Sequence, residues 1–357
     1  MKPKRVGYVG LNHHHAEPYL ETLKSMSETA TVTCACERDP SFDLTSVPSL
    51  GNVPVYEEFE AMLSSESLDA VFLTLPNRDT PAAIEQAIAA DVDVFTEKPA
   101  ARTAEELERL QSIVDSSTGT VCISYPWQSH PIVEDIRDLV ETGFFGNLRA
   151  FDARFIASQV AFRDPTHFIF DEEASRGGIL QWLGIHWIQL FTKLFDKPIT
   201  QVNANIASRC SEISVEDGAT LQLETEEKAI GTLQCGYYLA EGMYDTEINI
   251  YGSDGRCNWD PIGREFGFEG ETSLKLDETN GDWESTPHRR IVHEYEPAPG
   301  YGGAWGRSFI ESFFEACDGK EPSPVTLDDA LTVLRILDAA YESADTGDWV
   351  RVDKLSS

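Results

Sequence analysis

The first 125 residues alternate between short apolar runs and segments with a helical spacing of apolar residues. The apolar runs are rich in β-branched and aromatic residues, as is typical of buried strands in a parallel sheet. They occupy residues 5–9, 31–36, 53–56, 70–75, 92–95 and 121–125. The clearest helical segment between them is the alanine-rich 81–90, with Pro81 in its first turn. This order predicts a doubly wound parallel sheet in an α/β fold.

The pattern changes after residue 125. A helix is predicted from Pro131 to about Thr142, and strand-like runs follow at 148–155, 199–206, 219–224, 229–237 and 247–252. Turns at 226–227 and 252–255 suit hairpins, so these strands predict a large, mostly antiparallel sheet that is open on one face. An apolar helix is predicted over 177–195, and a final helix over 327–344 with Leu331, Leu334 and Leu337 toward the core. Residues 260–303 show no period and are predicted to be loop-rich.

Composition restricts the class of partner. The chain has 61 acidic and 28 basic residues, a net charge of −33, and such a field disfavours nucleic acid and anionic membranes. There is no run of about 18 apolar residues and no apolar N-terminal signal, so we expect a cytoplasmic protein. Seven cysteines without a CxxC pair fit a reducing compartment. The dispersed acidic residues indicate either an ordinary solvated surface or a halophile-like surface adapted to molar salt.

The tripeptide Glu97-Lys98-Pro99 follows the predicted strand 92–95. Open α/β sheets bind their ligands outside the carboxyl ends of parallel strands. Pro99 fixes its own φ and restricts Lys98, so the Lys98 ammonium is expected to be held in one direction. A second helix is predicted from about Thr103, with the capping pattern Thr103-x-x-Glu106.

A turn follows the first predicted strand, and it reads Gly10-Leu11-Asn12-His13-His14-His15. A dinucleotide-binding turn there would read G-x-G-x-x-G. The first glycine is kept, and Asn12 at the second position tolerates a left-handed backbone. The helix beyond would accept a pyrophosphate at its N-terminus and direct inward Tyr19, Leu20, Leu23 and Met26.

The three consecutive histidines also suggest a metal site. Adjacent side chains on a turn point in different directions, however, and no acidic or cysteine partner lies at ligand spacing in the sequence. We therefore expect no metal here and interpret the run as a packed or phosphate-facing turn.

The second strand ends in Glu37-Arg38-Asp39. An acidic residue at this position can accept hydrogen bonds from an adenosine ribose, which favours NAD, whereas an Arg can bind the 2′-phosphate of NADP. A charged turn without a ligand role is the third alternative. The sequence leaves the three open, with NAD favoured.

Together these positions resemble the glucose–fructose oxidoreductase / inositol dehydrogenase (Gfo/Idh/MocA) family. The resemblance runs essentially end to end. It covers the turn at Gly10, Leu75-Pro76-Asn77, Glu97-Lys98-Pro99, Tyr125, Gly143-x-x-Gly146, Gly177-Gly178, Gly184-x-His186 and Tyr341-Glu342-Ser343-Ala344. It implies a Rossmann domain at 1–125 that binds NAD(P). A domain for substrate binding and oligomerisation would follow at 126–357. The implied reaction is hydride transfer between NAD(P) and a sugar, polyol or related alcohol.

The resemblance also implies roles for individual residues. Lys98 is similar to the family's lysine, which contacts the nicotinamide ribose and the substrate hydroxyl and would favour an oxyanion. His186 is similar to the family's helix histidine, the proton acceptor, a task that suits an imidazole. The expected cofactor-binding residues are Gly10, Leu11, Asn12, His13, Glu37, Arg38, Leu75, Pro76, Asn77, Thr80, Glu97 and Lys98. The expected substrate-binding residues are Tyr125, Trp127, His167, Trp182 and His186, with an ordinary surface loop as the alternative for His167.

The chain departs from the family pattern around this histidine. Family members commonly place an Asp four residues before it and another three after it, where this chain has Trp182 and Gln189. Residues 182, 186 and 189 lie on one face of the predicted helix, so Trp182 is expected to stand beside His186. Its indole would offer a flat apolar wall for a sugar face or an aromatic substrate. The family's frequent His after the Pro-Asn turn is Thr80 here.

The sequence therefore predicts an NAD(P)-dependent oxidoreductase for a small, carbohydrate-like molecule. One alternative is a lyase or glycosidase that retains NAD. Another is a sensor of nucleotides or sugars, which Trp182 favours and the presence of both Lys98 and His186 disfavours. The open sheet face predicts a homodimer or homotetramer, since an uncovered face of apolar strands needs a partner.

Overall fold

The computed structural model describes residues 2–195, 197–263, 270–279 and 288–352. The chain forms two compact units, one comprising Met1–Pro126 and Glu296–Leu331 and the other Trp127–Tyr295 and Thr332–Ser357. The domain boundary after residue 125 stays a prediction. The structure adds that residues 296–331, which the sequence analysis assigned to the second domain, pack with the first unit.

The first unit contains a six-stranded sheet with the order β3-β2-β1-β4-β5-β6, and all its strand pairs are parallel. The strands are β1 (Lys4–Val9), β2 (Ala30–Cys36), β3 (Val55–Tyr56), β4 (Ala70–Leu73), β5 (Asp93–Glu97) and β6 (Val121–Ser124). The helices between them are α1 (Ala16–Ser25), α2 (Phe59–Ser65), α3 (Thr80–Ala89), α4 (Ala104–Glu108) and α5 (Gln111–Ser116). The predicted doubly wound sheet is confirmed. Its order reverses between β1 and β4, the position at which such sheets bind ligands.

Aromatic packing holds a further helix, α9 (Gly303–Cys317), in this unit. The Phe95 ring on β5 lies 4.4 Å from the Phe72 ring on β4, 5.5 Å from Phe313 and 6.0 Å from Phe309 between ring centroids. Helix α9 was not predicted from the sequence, although its phenylalanines recur at helical spacing. This cluster fixes β4 and β5, two of the strands whose carboxyl ends carry candidate residues.

The second unit contains a nine-stranded sheet with the order β14-β13-β12-β11-β7-β10-β9-β8-β15. Its strands are β7 (Leu148–Ser158), β8 (Ile199–Ala207), β9 (Gly218–Thr225), β10 (Ile230–Leu239), β11 (Asp245–Gly252), β12 (Gly255–Trp259), β13 (Glu271–Glu278), β14 (His288–Glu294) and β15 (Val350–Arg351). Only the β7–β10 pair is parallel among the described pairs of this sheet. The predicted mostly antiparallel sheet is confirmed.

The prediction that residues 260–303 are loop-rich was wrong at two places, where the chain forms strands β13 and β14. Strand β13 buries Thr272, Leu274 and Leu276 on one face, an alternation typical of a half-buried strand. Strand β14 lies at the sheet edge and is mostly exposed, so its sequence carries little apolar signal. Within the same stretch, residues 264–269 and 280–287 lie outside the described residues.

The open face of this sheet is mainly polar. A cross-strand row on it contains Gln222, Thr232, Asp152, Asn249, Asn258 and Lys275. Amide side chains link the row, with Asn249 donating to Asp152 at 3.0 Å and Asn258 donating to Asn249 at 2.8 Å. Ile230 and Tyr238 are the large apolar residues exposed on β10. An apolar open face was the reason given for an oligomer, so the structure removes that reason, and the oligomer stays a prediction.

The helices of the second unit are α6 (Pro131–Glu141), α7 (Glu172–Ser175) and α8 (Ile185–Leu194). The last described helix is α10 (Leu327–Thr346), where Leu331, Leu334 and Leu337 are buried as predicted. In the part of the chain that the structure describes, no helix combines the length and the apolar character that a bilayer crossing requires.

Candidate active site

Glu97 ends β5 and contacts three residues of the first unit. Its Oε1 accepts the hydroxyl hydrogen of Tyr19 at 2.8 Å and lies 2.8 Å from Nδ1 of His15. Its Oε2 accepts the backbone N–H of Lys98 at 3.0 Å and lies 3.9 Å from the Lys98 ammonium. Glu97 is 4% exposed and Lys98 is 2% exposed. The Lys98 ammonium is therefore held inside the protein beside one oriented carboxylate.

Burial and charge move the two pKa values of this pair. Burial lowers the pKa of Lys98 to about 8, against the opposing effect of the Glu97 carboxylate. Burial by itself would raise the pKa of Glu97, but the His15 and Lys98 side chains outweigh it and hold that pKa well below its usual range. Glu97 is thus a stable anion, while the pKa of Lys98 is lowered toward the neutral range. An amine with such a pKa can both stabilise an oxyanion and exchange a proton.

The turn after β1 requires its first glycine. Gly10 has φ +87°, and a Cβ there would lie 2.5 Å from the backbone oxygen of Thr74. Beyond it, the N–H groups of Leu11 and Asn12 donate to Oε2 of Glu37 at 2.7 and 3.2 Å. The turn therefore presents backbone donors to an anion although its second and third glycines are absent. This is the property that a pyrophosphate would use.

The histidine run differs from the sequence expectation. The ring centroids of His13 and His14 are 4.3 Å apart and those of His14 and His15 are 4.1 Å apart. One ring nitrogen from each histidine lies within 4.8 Å of those of the other two, and His15 pairs with the acidic Glu97. The expectation that the three side chains diverge was wrong, because the chain curls here into α1. No acidic partner lies at ligand spacing in the sequence, and the one that the fold supplies comes from β5.

The hydrogen bonding of His13 disfavours a site made by all three rings. Its Nδ1 accepts the backbone N–H of His15 at 3.0 Å, and burial holds the pKa of His13 well below its usual value. A neutral ring whose Nδ1 is an acceptor carries its hydrogen on Nε2, which then has no lone pair for a metal. His13 is better suited to donate to an anion.

The structure brings the cofactor-side candidates together at one edge of the first sheet. Residues 10–13 follow β1, and Glu37 and Arg38 follow β2. Glu97 ends β5, and Lys98 follows it. Leu75, Pro76 and Asn77 follow β4, and Thr80 opens α3 and donates to the backbone oxygen of Pro76 at 3.1 Å. Tyr125 follows β6 and is buried. This is the edge at which parallel α/β sheets bind nucleotides.

In the second unit, His186 lies near the start of α8, after a π-helical segment at Leu180–Gly184. The predicted continuous helix is therefore not regular. A π-helical segment is wound differently from an α-helix, and the expectation that Trp182 stands beside His186 stays a prediction. Trp182, His186 and Gln189 are all buried, and the Gln189 amide donates to Oε1 of Gln128 at 3.3 Å.

The predicted substrate-side aromatics fall into two groups within this unit. Trp182 packs edge to face against Phe168, with 6.2 Å between the ring centroids. The ring centroids of His167 and Phe168 are 4.4 Å apart. Trp127 instead packs against Trp187 and Trp259, with 5.2 Å and 6.2 Å between the ring centroids. Sequence reasoning missed Phe168, whose signal was the aromatic cluster around His167.

Sequence reasoning also missed Glu216. It lies in the loop before β9 and accepts hydrogen bonds from the start of the segment that carries His186. An isolated acidic residue in a chain with 61 of them has no sequence signal.

Comparisons with known proteins agree with this geometry. Residues 4–125 match the model of an oxidoreductase family with an NAD-binding Rossmann fold, and residues 133–258 match the GFO/IDH/MocA C-terminal domain. The chain is similar to D-xylose 1-dehydrogenase [NADP(+)] of Haloarcula marismortui, with 24% identity over 91% of this chain and 94% of the relative. It is also similar to D-xylose 1-dehydrogenase (NADP(+)) 2 of Haloferax volcanii, with 23% identity over 88% and 90%. Among solved structures, levoglucosan dehydrogenase in complex with NADH and levoglucosan has a TM-score of 0.82 at 18% identity, over 99% of this chain and 100% of that chain.

Proposed function

We propose that this chain, which belongs to the GFO/IDH/MocA family of NAD(P)-dependent oxidoreductases acting on CH–OH groups, oxidises an aldose or a closely related sugar alcohol. The observation that carries the proposal is the buried Glu97–Lys98 pair at the carboxyl edge of a nucleotide-binding sheet, with the pKa of Lys98 lowered to about 8. The similarity of the chain to two D-xylose 1-dehydrogenases favours a sugar as the substrate.

The residues of the first unit fit a dinucleotide. Gly10 has no Cβ that would clash with the backbone oxygen of Thr74, so the turn can form. The amides of Leu11 and Asn12 already donate to a carboxylate oxygen. NAD(P), when bound, supplies the hydride acceptor of the oxidation. Glu37 and Arg38 would meet the adenosine ribose, Glu37 accepting from its hydroxyls in NAD and Arg38 pairing with the 2′-phosphate in NADP.

We assign two roles to protein groups in the oxidation. As the C–H bond of the substrate breaks and its electron pair leaves with the hydrogen, the hydroxyl oxygen becomes more acidic and loses its proton. The Lys98 ammonium would stabilise the negative charge on that oxygen, and His186 would accept the proton. Glu97 keeps Lys98 oriented and raises its charged fraction. Trp182 would offer an apolar plane to the sugar ring.

The test is a screen of aldoses and polyols with NAD⁺ and NADP⁺ in molar KCl, followed by the absorbance of the reduced nicotinamide. The informative variant is Lys98→Met, which keeps the length of the side chain and removes its charge. We expect kcat/KM to fall by roughly 10²- to 10³-fold, because the charge on the oxygen loses its stabilising partner. Lys24→Ala, which removes an exposed lysine of α1, is the matched control and should match the wild type.

Two outcomes would contradict the proposal. Wild-type activity in Lys98→Met would refute the role of Lys98. A folded wild-type protein that binds the cofactor and oxidises none of the sugars would refute the substrate class and favour the sensor alternative, in which Trp182 replaces a catalytic carboxylate.

A further inference from the structure

One buried carboxylate, that of Glu216, meets the start of the helical segment that carries His186. Glu216 is 4% exposed. Its Oε2 accepts the N–H of Gly178 at 2.7 Å and its Oε1 accepts the N–H of Leu180 at 3.0 Å. Its backbone oxygen accepts the N–H of Ile179 at 3.2 Å. A single residue from another element therefore satisfies three successive amides.

These amides belong to the first turn of the segment. Helical bonding begins at Gly178, whose backbone oxygen accepts the N–H of Trp182 at 2.9 Å. The first N–H groups of a helix have no acceptor within the helix itself, and a carboxylate there also interacts favourably with the helix dipole. Burial raises the pKa of the Glu216 carboxyl, although its hydrogen bonds from Gly178, Leu180 and Tyr341 act in the opposite direction.

The glycine pair Gly177-Gly178 permits this close approach. A Cβ on Gly178 would lie 2.0 Å from the backbone oxygen of Glu216, and a Cβ on Gly177 would lie 1.9 Å from the hydroxyl of Tyr341. That hydroxyl donates to Oε1 of Glu216 at 3.1 Å. Any side chain at either glycine would displace the start of the segment. We call Gly177, Gly178, Glu216 and Tyr341 the helix anchor.

We propose that Glu216, through the helix anchor, is a positioning residue for His186, an inference that rests on the role proposed above for His186. The π-helical segment Leu180–Gly184 lies between the anchor and His186. A one-residue change in hydrogen-bond register over this segment would turn His186 by about 100° around the helix axis. Two amides of the segment donate to the Glu216 carboxylate and a third donates to the Glu216 backbone carbonyl. These three bonds prevent that slip.

The informative variant is Glu216→Gln. An amide has one acceptor oxygen, and its NH₂ group would face an N–H donor of the segment. We expect kcat to fall at least tenfold, since a displacement of about 1 Å can cost 10²-fold in rate. The affinity for NADPH, measured by fluorescence, should stay within about twofold because its candidate residues lie in the first unit. Glu216→Asp keeps the charge and should recover most of the lost kcat.

Asp217→Asn is the matched control. Asp217 is 8% exposed, and its carboxylate accepts the N–H groups of Arg209 and Cys210 at 3.0 Å each, which belong to a loop and not to the His186 segment. This variant should lose a comparable amount of thermal stability and keep kcat within about twofold. Equal losses of kcat in Glu216→Gln and Asp217→Asn would overturn the proposal, because the effect would then follow stability alone.

Hydrogen exchange gives a readout that does not depend on turnover. Peptides covering residues 178–186 should exchange faster in Glu216→Gln than in the wild type and should be unchanged in Asp217→Asn. Unchanged exchange in Glu216→Gln would overturn the helix anchor. If the wild type oxidises no sugar, the proposed function fails, and the exchange measurement still decides whether Glu216 holds this segment.

Discussion

The variant Glu97→Gln tests how this chain sets the charge of its buried lysine. The Glu97 carboxylate lies 3.9 Å from the Lys98 ammonium and raises the pKa of Lys98 against burial, which lowers it to about 8. Two unit charges at that distance attract by about 4 kcal/mol at an effective dielectric constant of about 20, equivalent to about three pKa units. Relaxation and the dipole of the introduced amide reduce this effect. We therefore expect the pKa of Lys98 to fall by at least about one unit.

The sign of the change in activity follows from the charge that Lys98 must carry. If its ammonium stabilises the substrate oxygen, kcat/KM falls as the pH rises through the pKa of Lys98. In Glu97→Gln this alkaline limb should move to lower pH. At pH 8 the charged fraction would drop from about one half to about one tenth, so kcat/KM should fall about fivefold at that pH and recover at lower pH.

The assay is the pH profile of kcat/KM, which reports groups of the free enzyme. Tyr19→Phe is the matched control, since it removes a hydrogen bond to Glu97 at 2.8 Å and leaves the charge in place. Its alkaline limb should coincide with that of the wild type. An alkaline limb of Glu97→Gln within about 0.2 units of the wild type would refute the argument that Glu97 sets the pKa of Lys98.

Three further predictions concern the turn, the helix anchor and the surface. Glu37→Gln should weaken NADH binding in a fluorescence titration and leave NADPH binding nearly unchanged if Glu37 binds the ribose hydroxyls; equal losses for both cofactors would instead indicate that its bonds to the turn dominate. Gly178→Ala should lower the free energy of unfolding in urea by at least about 1–3 kcal/mol, because the new Cβ would meet the backbone oxygen of Glu216 at 2.0 Å. In Gly119→Ala the nearest atom to the new Cβ is the end of the flexible Ile88 side chain at 3.0 Å, so this variant should cost less, and equal costs would refute the steric argument. The melting temperature should rise from low salt to molar KCl, because counterions screen repulsion within a chain of net charge −33; melting that is indifferent to salt would refute a salt-adapted surface.

Local patterns determined the order of elements in the first unit. Short apolar runs separated by helical spacing predicted its parallel strands, and Glu97-Lys98 was placed correctly at the end of β5. The N-cap of α4 was also readable, since Thr103 accepts the N–H of Glu106 at 3.3 Å. These features are short-range, because strand alternation, helix spacing and caps depend on residues close together in the chain.

Long-range contacts decided the remaining features. Glu97 meets His15 across 82 residues and Glu216 meets Gly178 across 38, and neither pair has a signal in local spacing. Strand β14 carries too few apolar residues to be recognised without its neighbour β13. The π-helical segment before His186 interrupts the regular helix that the local pattern predicted there. The sequence by itself therefore determined which strand ends carry the chemical groups of the first unit. The tertiary structure alone decided which groups meet, because burial and charge act between residues that only folding brings together.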